Sequence, residues 1–145
     1  MISGATRILR QKPGAEVEFG NTLFLAENPQ GLILDWELFG QSAPADSKLL
    51  PRSVGRMERV YGPQLKALAG DRGFDSELNR VGLDSDGIYN GVCPRDPRQL
   101  KKRSRSWKFK RLQRRRAQTE ALRNDHHRAV RLFQQTEDGF VFLHS

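Results

Sequence analysis

An alternating run of apolar residues near the N-terminus constrains the fold of this chain more than any other feature. Between positions 16 and 27 the apolar residues recur at odd positions, at Val17, Phe19, Leu23 and Leu25. This is the pattern of a strand with one buried face. A four-residue turn at 28–31 separates it from a second apolar segment at 32–39, so the sequence predicts an antiparallel hairpin.

The elements that follow predict a mixed α/β sheet. Apolar residues at helical spacing predict a helix that is capped by Asp46 or Ser47 and ends at Gly62, with one face formed by Leu50, Val54, Met57 and Tyr61. Further along, we expect a strand before Gly70, a short helix at about 76–82, a strand at 88–93 and a long helix from 106 to about 135. Later strands joined by helical crossovers imply parallel pairing. The segment 139–143 reads either as a strand or as an exposed apolar terminus.

Composition favours a polyanionic partner. The 145 residues fit one domain, and 25 Lys+Arg against 17 Asp+Glu give a formal net charge of +8. Nucleic acid is the first partner to consider. The single Cys93 excludes an internal disulfide and a multi-cysteine zinc site, and it fits a reducing, cytoplasmic location. No window of 18 or more apolar residues occurs, so no membrane partner is expected.

The positive charge is concentrated in one segment. Twelve basic residues lie between Arg95 and Arg116, against the single acid Asp96. Such a segment is able to neutralise several phosphates, and its affinity should fall steeply with salt. The alternative is a solvated helix face that only aids solubility. Two aromatic residues are interleaved, Trp107 and Phe109, and we expect them to pack in the core rather than to stack on bases.

Two acids are candidates for a site. Asp71 follows a short apolar run at the expected end of a strand, where functional side chains gather in α/β sheets. The alternative is that Asp71, Arg72 and Gly73 form only a polar turn. Glu120 shares a face of the long helix with Phe109, Leu112 and Arg116.

Six blocks of sequence, in order between about positions 7 and 120, carry a family resemblance. They are EFGN from Glu18, LAEN from Leu25, GLILD from Gly31, AGDRGFDS from Ala69, IYNGVCPR from Ile88 and LQRRRAQTE from Leu112. Together these blocks resemble DDE transposases of bacterial insertion sequences. The resemblance implies a ribonuclease H-like sheet and metal-dependent cleavage and joining of DNA. The expected partner is DNA at the ends of an insertion sequence.

The resemblance also implies roles for individual residues. Asp71 matches the second metal-binding acid of the family and Glu120 the third, with Arg116 one helical turn before it. Two Mg²⁺ or Mn²⁺ ions would be held by such acids during phosphodiester chemistry. The residues expected to contact nucleic acid are Arg72, Lys101, Lys102, Arg103, Arg105, Lys108, Lys110, Arg114, Arg115 and Arg116.

The chain departs from the family at both ends. The family's first acid precedes the EFGN block, yet positions 1–14 contain no Asp or Glu. The nearest substitute, Asp35, is expected to face solvent or to cap a strand end. The likeness stops after Glu120, which divides the chain into a partial catalytic domain at 1–120 and a divergent tail at 121–145. We therefore expect an incomplete ribonuclease H-like sheet that lacks all or part of its first strand.

Three interpretations follow from these departures. The first is a transposase fragment that is inactive as it stands, and the second is a non-enzymatic basic DNA- or RNA-binding module. The third is a product that does not fold stably. A homo-oligomer in which a second copy supplies the missing parts remains open.

Overall fold

The structure is a computed structural model that describes residues 21–40, 42–123 and 139–145. Within these residues there are five strands, four α-helices and one short 3-10 turn. The strands are β1 (Thr22–Glu27), β2 (Ile33–Phe39), β3 (Ala67–Ala69), β4 (Tyr89–Asn90) and β5 (Phe140–His144). The helices are α1 (Asp46–Tyr61), α2 (Glu77–Ser85), α3 (Pro97–Arg103) and α4 (Trp107–Arg123), and the 3-10 turn spans Arg72–Phe74.

The five strands form one mixed sheet in the order β2-β1-β5-β3-β4. β1 and β2 pair antiparallel with Leu25 opposite Trp36, which confirms the hairpin. Asn28 closes its turn, because its Oδ1 accepts hydrogen bonds from the backbone N–H groups of Gln30 and Leu32. β3 and β4 pair in parallel. The α/β class and the mixed sheet are therefore as expected from the sequence.

The last strand of the chain lies in the centre of the sheet. β5 pairs antiparallel with β1, with Phe142 opposite Glu27, and parallel with β3, with Phe140 opposite Ala67. Of the two alternatives for this segment, the strand is the correct one. β5 joins the hairpin to the parallel pair, so both halves of the sheet depend on it.

Helices cover both faces of the sheet. On one face, α1 and α2 pack over the larger core, which contains Phe24, Ala26, Leu49, Leu50, Val54, Met57, Leu68, Phe74, Leu83, Val141 and Leu143. On the other face, Leu112 of α4 packs against a smaller cluster formed by Ala67, Ala69 and Phe142. Residues 67–69 are alternately directed to the two faces, as expected for a buried strand.

A proline inside α1 is accommodated by a side chain from α2. Pro51 has no backbone N–H to bond the carbonyl of Ser47 four residues earlier. The amide Nδ2 of Asn79 donates to that carbonyl over 2.7 Å and also to the carbonyl of Phe74 over 2.9 Å. Buried Asn79 thus ties α1 to α2 and to the loop after β3.

Several details differ from the expectations. The residue before α1 is Ala45 and no side chain caps the helix, so Asp46 is its first residue rather than its cap. Tyr61 is largely exposed. The strand at 88–93 shortens to the two residues of β4, and α3 was not anticipated. The expected strand residues 16–20 and the long helix beyond Arg123 lie outside the described residues.

Candidate functional site

Asp71 lies two residues beyond the end of β3, as the sequence predicts, and begins the 3-10 turn. Its Oδ1 accepts a hydrogen bond of 2.9 Å from the backbone N–H of Gly73. A Cβ atom at Gly73 would lie 2.6 Å from Oδ2 of Asp46 and 3.0 Å from Oδ1 of Asp71. A larger residue at this position would therefore require the Asp46 carboxylate to move. The polar-turn interpretation describes what Asp71 does within the fold.

The turn after β3 is braced by a residue pair that the sequence did not reveal. Oδ2 of Asp75 accepts a 2.9 Å hydrogen bond from the backbone N–H of Arg95. The guanidinium of Arg95 in turn donates to the carbonyls of Arg72 and Gly73, at 2.9 Å and 3.0 Å. Asp75 is almost fully buried and also lies 3.3 Å from Nη1 of Arg80. The side chains of Asp75 and Arg95 thus hold the turn in place.

A glutamine fixes α4 against the ends of two strands. Nε2 of Gln113 donates to the carbonyl of Gly70 over 3.0 Å and also to the carbonyl of Gly91. α4 comes this close because Gly91 has no side chain. A Cβ atom there would lie 2.9 Å from the Leu68 carbonyl oxygen and 3.1 Å from Cδ1 of Leu112. α4 is therefore anchored next to the residue that precedes Asp71.

Glu120 is held by its own helix. Nη1 of Arg116 lies 3.2 Å from Oε2 of Glu120, and Nε of Arg116 donates to Oε1 of Gln113 over 3.3 Å. Arg116, which the sequence places among the expected nucleic-acid contacts, thus pairs with this carboxylate in the structure. Glu120 lies seven residues beyond Gln113, which is about 10 Å along the helix axis. A chain of polar contacts thus connects the Gly70 carbonyl to Glu120.

Among the residues that the structure describes, the possible metal ligands do not form a two-metal site. Two divalent ions require carboxylates from separate elements that converge on one point. In the part of the chain that the structure describes, no three Asp, Glu, His or Cys side chains are placed to hold a metal ion. The Asp71 carboxylate is used in its turn and the Glu120 carboxylate in its pair with Arg116.

Asp35 is part of an ion-pair network rather than a solvent-facing residue. Both its carboxylate oxygens accept hydrogen bonds from Arg56, at 2.8 Å and 2.9 Å, and Oδ2 also accepts one from Ser53. Glu37 on the same strand pairs with Arg56 and Arg52. The hydrogen bond that Arg56 donates to Asp35, opposed by burial, raises the pKa of Arg56 above its usual range. This network docks α1 on β2, so Asp35 is not a free ligand.

Four of the residues expected to contact nucleic acid are engaged within the protein. Arg103 donates to the carbonyls of Asn90 and Val92 and lies 4.8 Å from the centre of the Phe109 ring. Lys108 lies 4.3 Å from the centre of the Tyr89 ring and Arg115 5.9 Å from that of Phe140. The fourth is Arg116. The first three cations fasten α3 and α4 to the sheet, whereas Arg116 pairs within α4.

Apart from Arg95, the remaining basic side chains of the segment point to solvent. On α3, α4 and the turn between them, the exposed residues that we name the α3–α4 basic surface are Arg98, Lys101, Lys102, Arg105, Lys110, Arg111 and Arg114. Arg72, beside Asp71, is also exposed. Lys110, Arg111 and Arg114 lie on the outer side of α4, opposite the buried Phe109, Leu112 and Thr119. Positions 97–119 contain no Asp or Glu, so no acid of these helices offsets this charge before Glu120.

The two aromatic residues of the segment differ in environment. Phe109 is buried, as expected. The expectation for Trp107 was wrong, because 69% of its surface is exposed. The guanidinium of Arg111 covers its ring at 5.1 Å from the ring centre. Trp107 is the first residue of α4.

Comparisons with protein-family models, with curated proteins and with solved structures found no significant match to the chain. No helix among the described residues is long and apolar enough to cross a membrane.

Proposed function

We propose that this chain binds nucleic acid through the α3–α4 basic surface. The observation that carries the proposal is that some basic side chains of α3 and α4 contact the rest of the protein, whereas others are exposed to solvent. Arg103, Lys108 and Arg115 fasten the two helices to the sheet, and Arg116 pairs within α4. Seven exposed cations remain on helices that carry no acid between positions 97 and 119. Exposed Lys and Arg side chains on rigid helices neutralise phosphates and release counterions.

DNA is the proposed nucleic acid, and a transposase-like, ribonuclease H-like scaffold is the proposed origin. The support is the sequence resemblance together with a mixed sheet that has helices on both faces. In this proposal the ligand is the end of an insertion sequence, and the chain is a fragment of the catalytic domain. RNA binding by the same surface is the alternative, because phosphate contacts do not distinguish the two polymers.

A second candidate function is metal-dependent DNA cleavage by Asp71 and Glu120. One observation favours it: Gln113 links the residue before Asp71 to the helix that carries Glu120. Plasmid nicking in Mg²⁺ or Mn²⁺ tests this, with Asp71→Asn and Glu120→Gln as matched variants. Because these acids are engaged elsewhere, we expect the same background nicking in all three proteins. Nicking by the native chain that both substitutions abolish would establish the enzyme instead.

The binding proposal is tested by removing three exposed cations at once. A variant with Lys102→Ala, Lys110→Ala and Arg114→Ala should bind a labelled DNA oligonucleotide roughly tenfold or more weakly, since three phosphate contacts are lost. The matched control removes three exposed cations elsewhere, with Lys48→Ala, Arg59→Ala and Lys66→Ala. Fluorescence anisotropy at one fixed salt concentration measures both. Equal losses in the two variants would show that only net charge matters and would overturn the proposed surface.

A further inference from the structure

We propose, building on the proposed function, that Trp107 is a base-stacking platform and that the preferred ligand is therefore single-stranded. Trp107 lies at the corner where α3 leads into α4, among the cations of the α3–α4 basic surface. The inference goes beyond phosphate binding because an indole contributes nothing to a phosphate contact. It specifies which part of the nucleic acid the protein touches.

The geometry around Trp107 prepares a flat surface for a ligand. The guanidinium of Arg111, one helical turn away, covers the ring at 5.1 Å from its centre. Such a cation–π contact restrains the orientation of the ring. Because 69% of the residue is still exposed, most of the indole is accessible.

The neighbouring charges are placed to hold the backbone of a strand whose base stacks on the ring. Lys110 and Arg114 lie on the same side of α4, about 4.5 Å and 10.5 Å further along the helix axis. Arg105 lies two residues before Trp107, and all three side chains are exposed. Aromatic side chains set among cations in this way are the recurring arrangement of single-strand binding proteins.

The preference for single strands follows from the accessibility of the bases. In a duplex both faces of each base are covered by stacking, so an indole at the protein surface finds only sugars, phosphates and base edges. In a single strand the bases are free to stack on the ring, which is worth about 1–3 kcal/mol per base. Phosphate contacts alone would favour the duplex, which has the higher charge density.

The chain supplies its own control, because the other tryptophan is exposed away from the α3–α4 basic surface. Trp36 is 60% exposed on β2, which is the edge strand at the opposite end of the sheet from β4. The two tryptophans are both exposed, but only Trp107 lies among the cations of the α3–α4 basic surface. Comparing them tests whether base stacking requires these surroundings in addition to exposure.

The test compares single-stranded and duplex probes on the full chain. Labelled oligothymidylate and oligouridylate of about 20 nucleotides, longer than a typical binding site, are titrated beside a duplex of equal length. Trp107→Leu should weaken binding of both single strands roughly tenfold and change duplex binding less than twofold. Trp107→Phe should restore most of the affinity, and Trp36→Leu should leave all three affinities unchanged.

Fluorescence gives a second readout that does not depend on affinity. In the Trp36→Phe protein, Trp107 is the only tryptophan, and stacking on thymine should quench its emission on addition of oligothymidylate but not of duplex. Absence of quenching, or single-strand affinity that survives Trp107→Leu, would overturn this inference while leaving nucleic-acid binding intact. A wild-type chain that binds none of the three probes would overturn the proposed function as well.

Discussion

At the scale of single residues, the turn after β3 shows what local sequence reveals and what it hides. Asp71 and Ser76 were recognisable because their hydrogen bonds are local: Asp71 accepts from Gly73, and Ser76 accepts from Asn79 as the cap of α2. The bond that Asp75 accepts from Arg95 was not foreseen, because the two residues are 20 positions apart in the sequence. A carboxylate that braces a distant loop has no local sequence signature.

This difference leads to a stability prediction for Asp75. Asp75→Ala removes the acceptor of the Arg95 N–H, so we expect the free energy of unfolding to fall by about 2 kcal/mol. Its contact with Arg80, whose side chain is 45% exposed, adds little. Urea unfolding measures the change. Asp84→Ala, at an exposed position of α2, is the control and should shift stability by less than about 0.5 kcal/mol. Equal effects of both substitutions would contradict the bracing role.

At the scale of elements, apolar periodicity decided which helices were foreseen. α1 buries Leu49, Leu50, Val54 and Met57 at helical spacing, and its sequence predicted it almost to the residue. α3 contains no buried residue, so it carries no such signal. Its start is marked only by Asp96, whose Oδ1 caps the helix, and by Pro97. The sequence signals for α3 are therefore its cap and its charged side chains, and not a periodic apolar face.

The docking of α1 on β2 gives a prediction at this scale. Arg56→Met leaves the largely buried carboxylate of Asp35 without its main partner, so we expect a loss of about 1–3 kcal/mol in urea unfolding. Arg52→Met removes a half-exposed member of the same network, 46% exposed, and should cost less than about 1 kcal/mol. A larger effect at Arg52 than at Arg56 would contradict this order.

At the scale of the whole molecule, the position of β5 was beyond the reach of sequence reasoning. Its apolar residues were recognised as a possible strand, but its partners β1 and β3 lie far away in sequence. Alternation shows that a strand has a buried face and does not show which strands flank it. The basic segment was easier to interpret, because a run of basic residues is visible in the sequence without knowing which elements lie beside it in the fold. The exposure of Trp107 was missed because it depends on the surrounding fold.

The central position of β5 predicts that the fold depends on it. A chain ending at residue 138 loses the buried side chains of Val141, Phe142 and Leu143, together worth roughly 5–9 kcal/mol. This is comparable with the whole stability of a small domain, about 5–15 kcal/mol. We expect a sharp thermal transition by circular dichroism for the full chain and a broad one for the shortened chain. A sharp transition in both would contradict a central role for β5, and a broad one in both would indicate that the chain does not fold stably.

The central claim is that cations of α3 and α4 neutralise nucleic-acid phosphates, and salt dependence tests it most directly. The measurement is the slope of log affinity against log salt concentration for oligothymidylate, for the native chain and the Lys102, Lys110 and Arg114 triple-alanine variant. Each lost phosphate contact on a single strand should lower the magnitude of the slope by about 0.7, so the variant should differ from the native chain by about 2. An unchanged slope in this variant, or an equal decrease in the Lys48, Arg59 and Lys66 control, would contradict the claim.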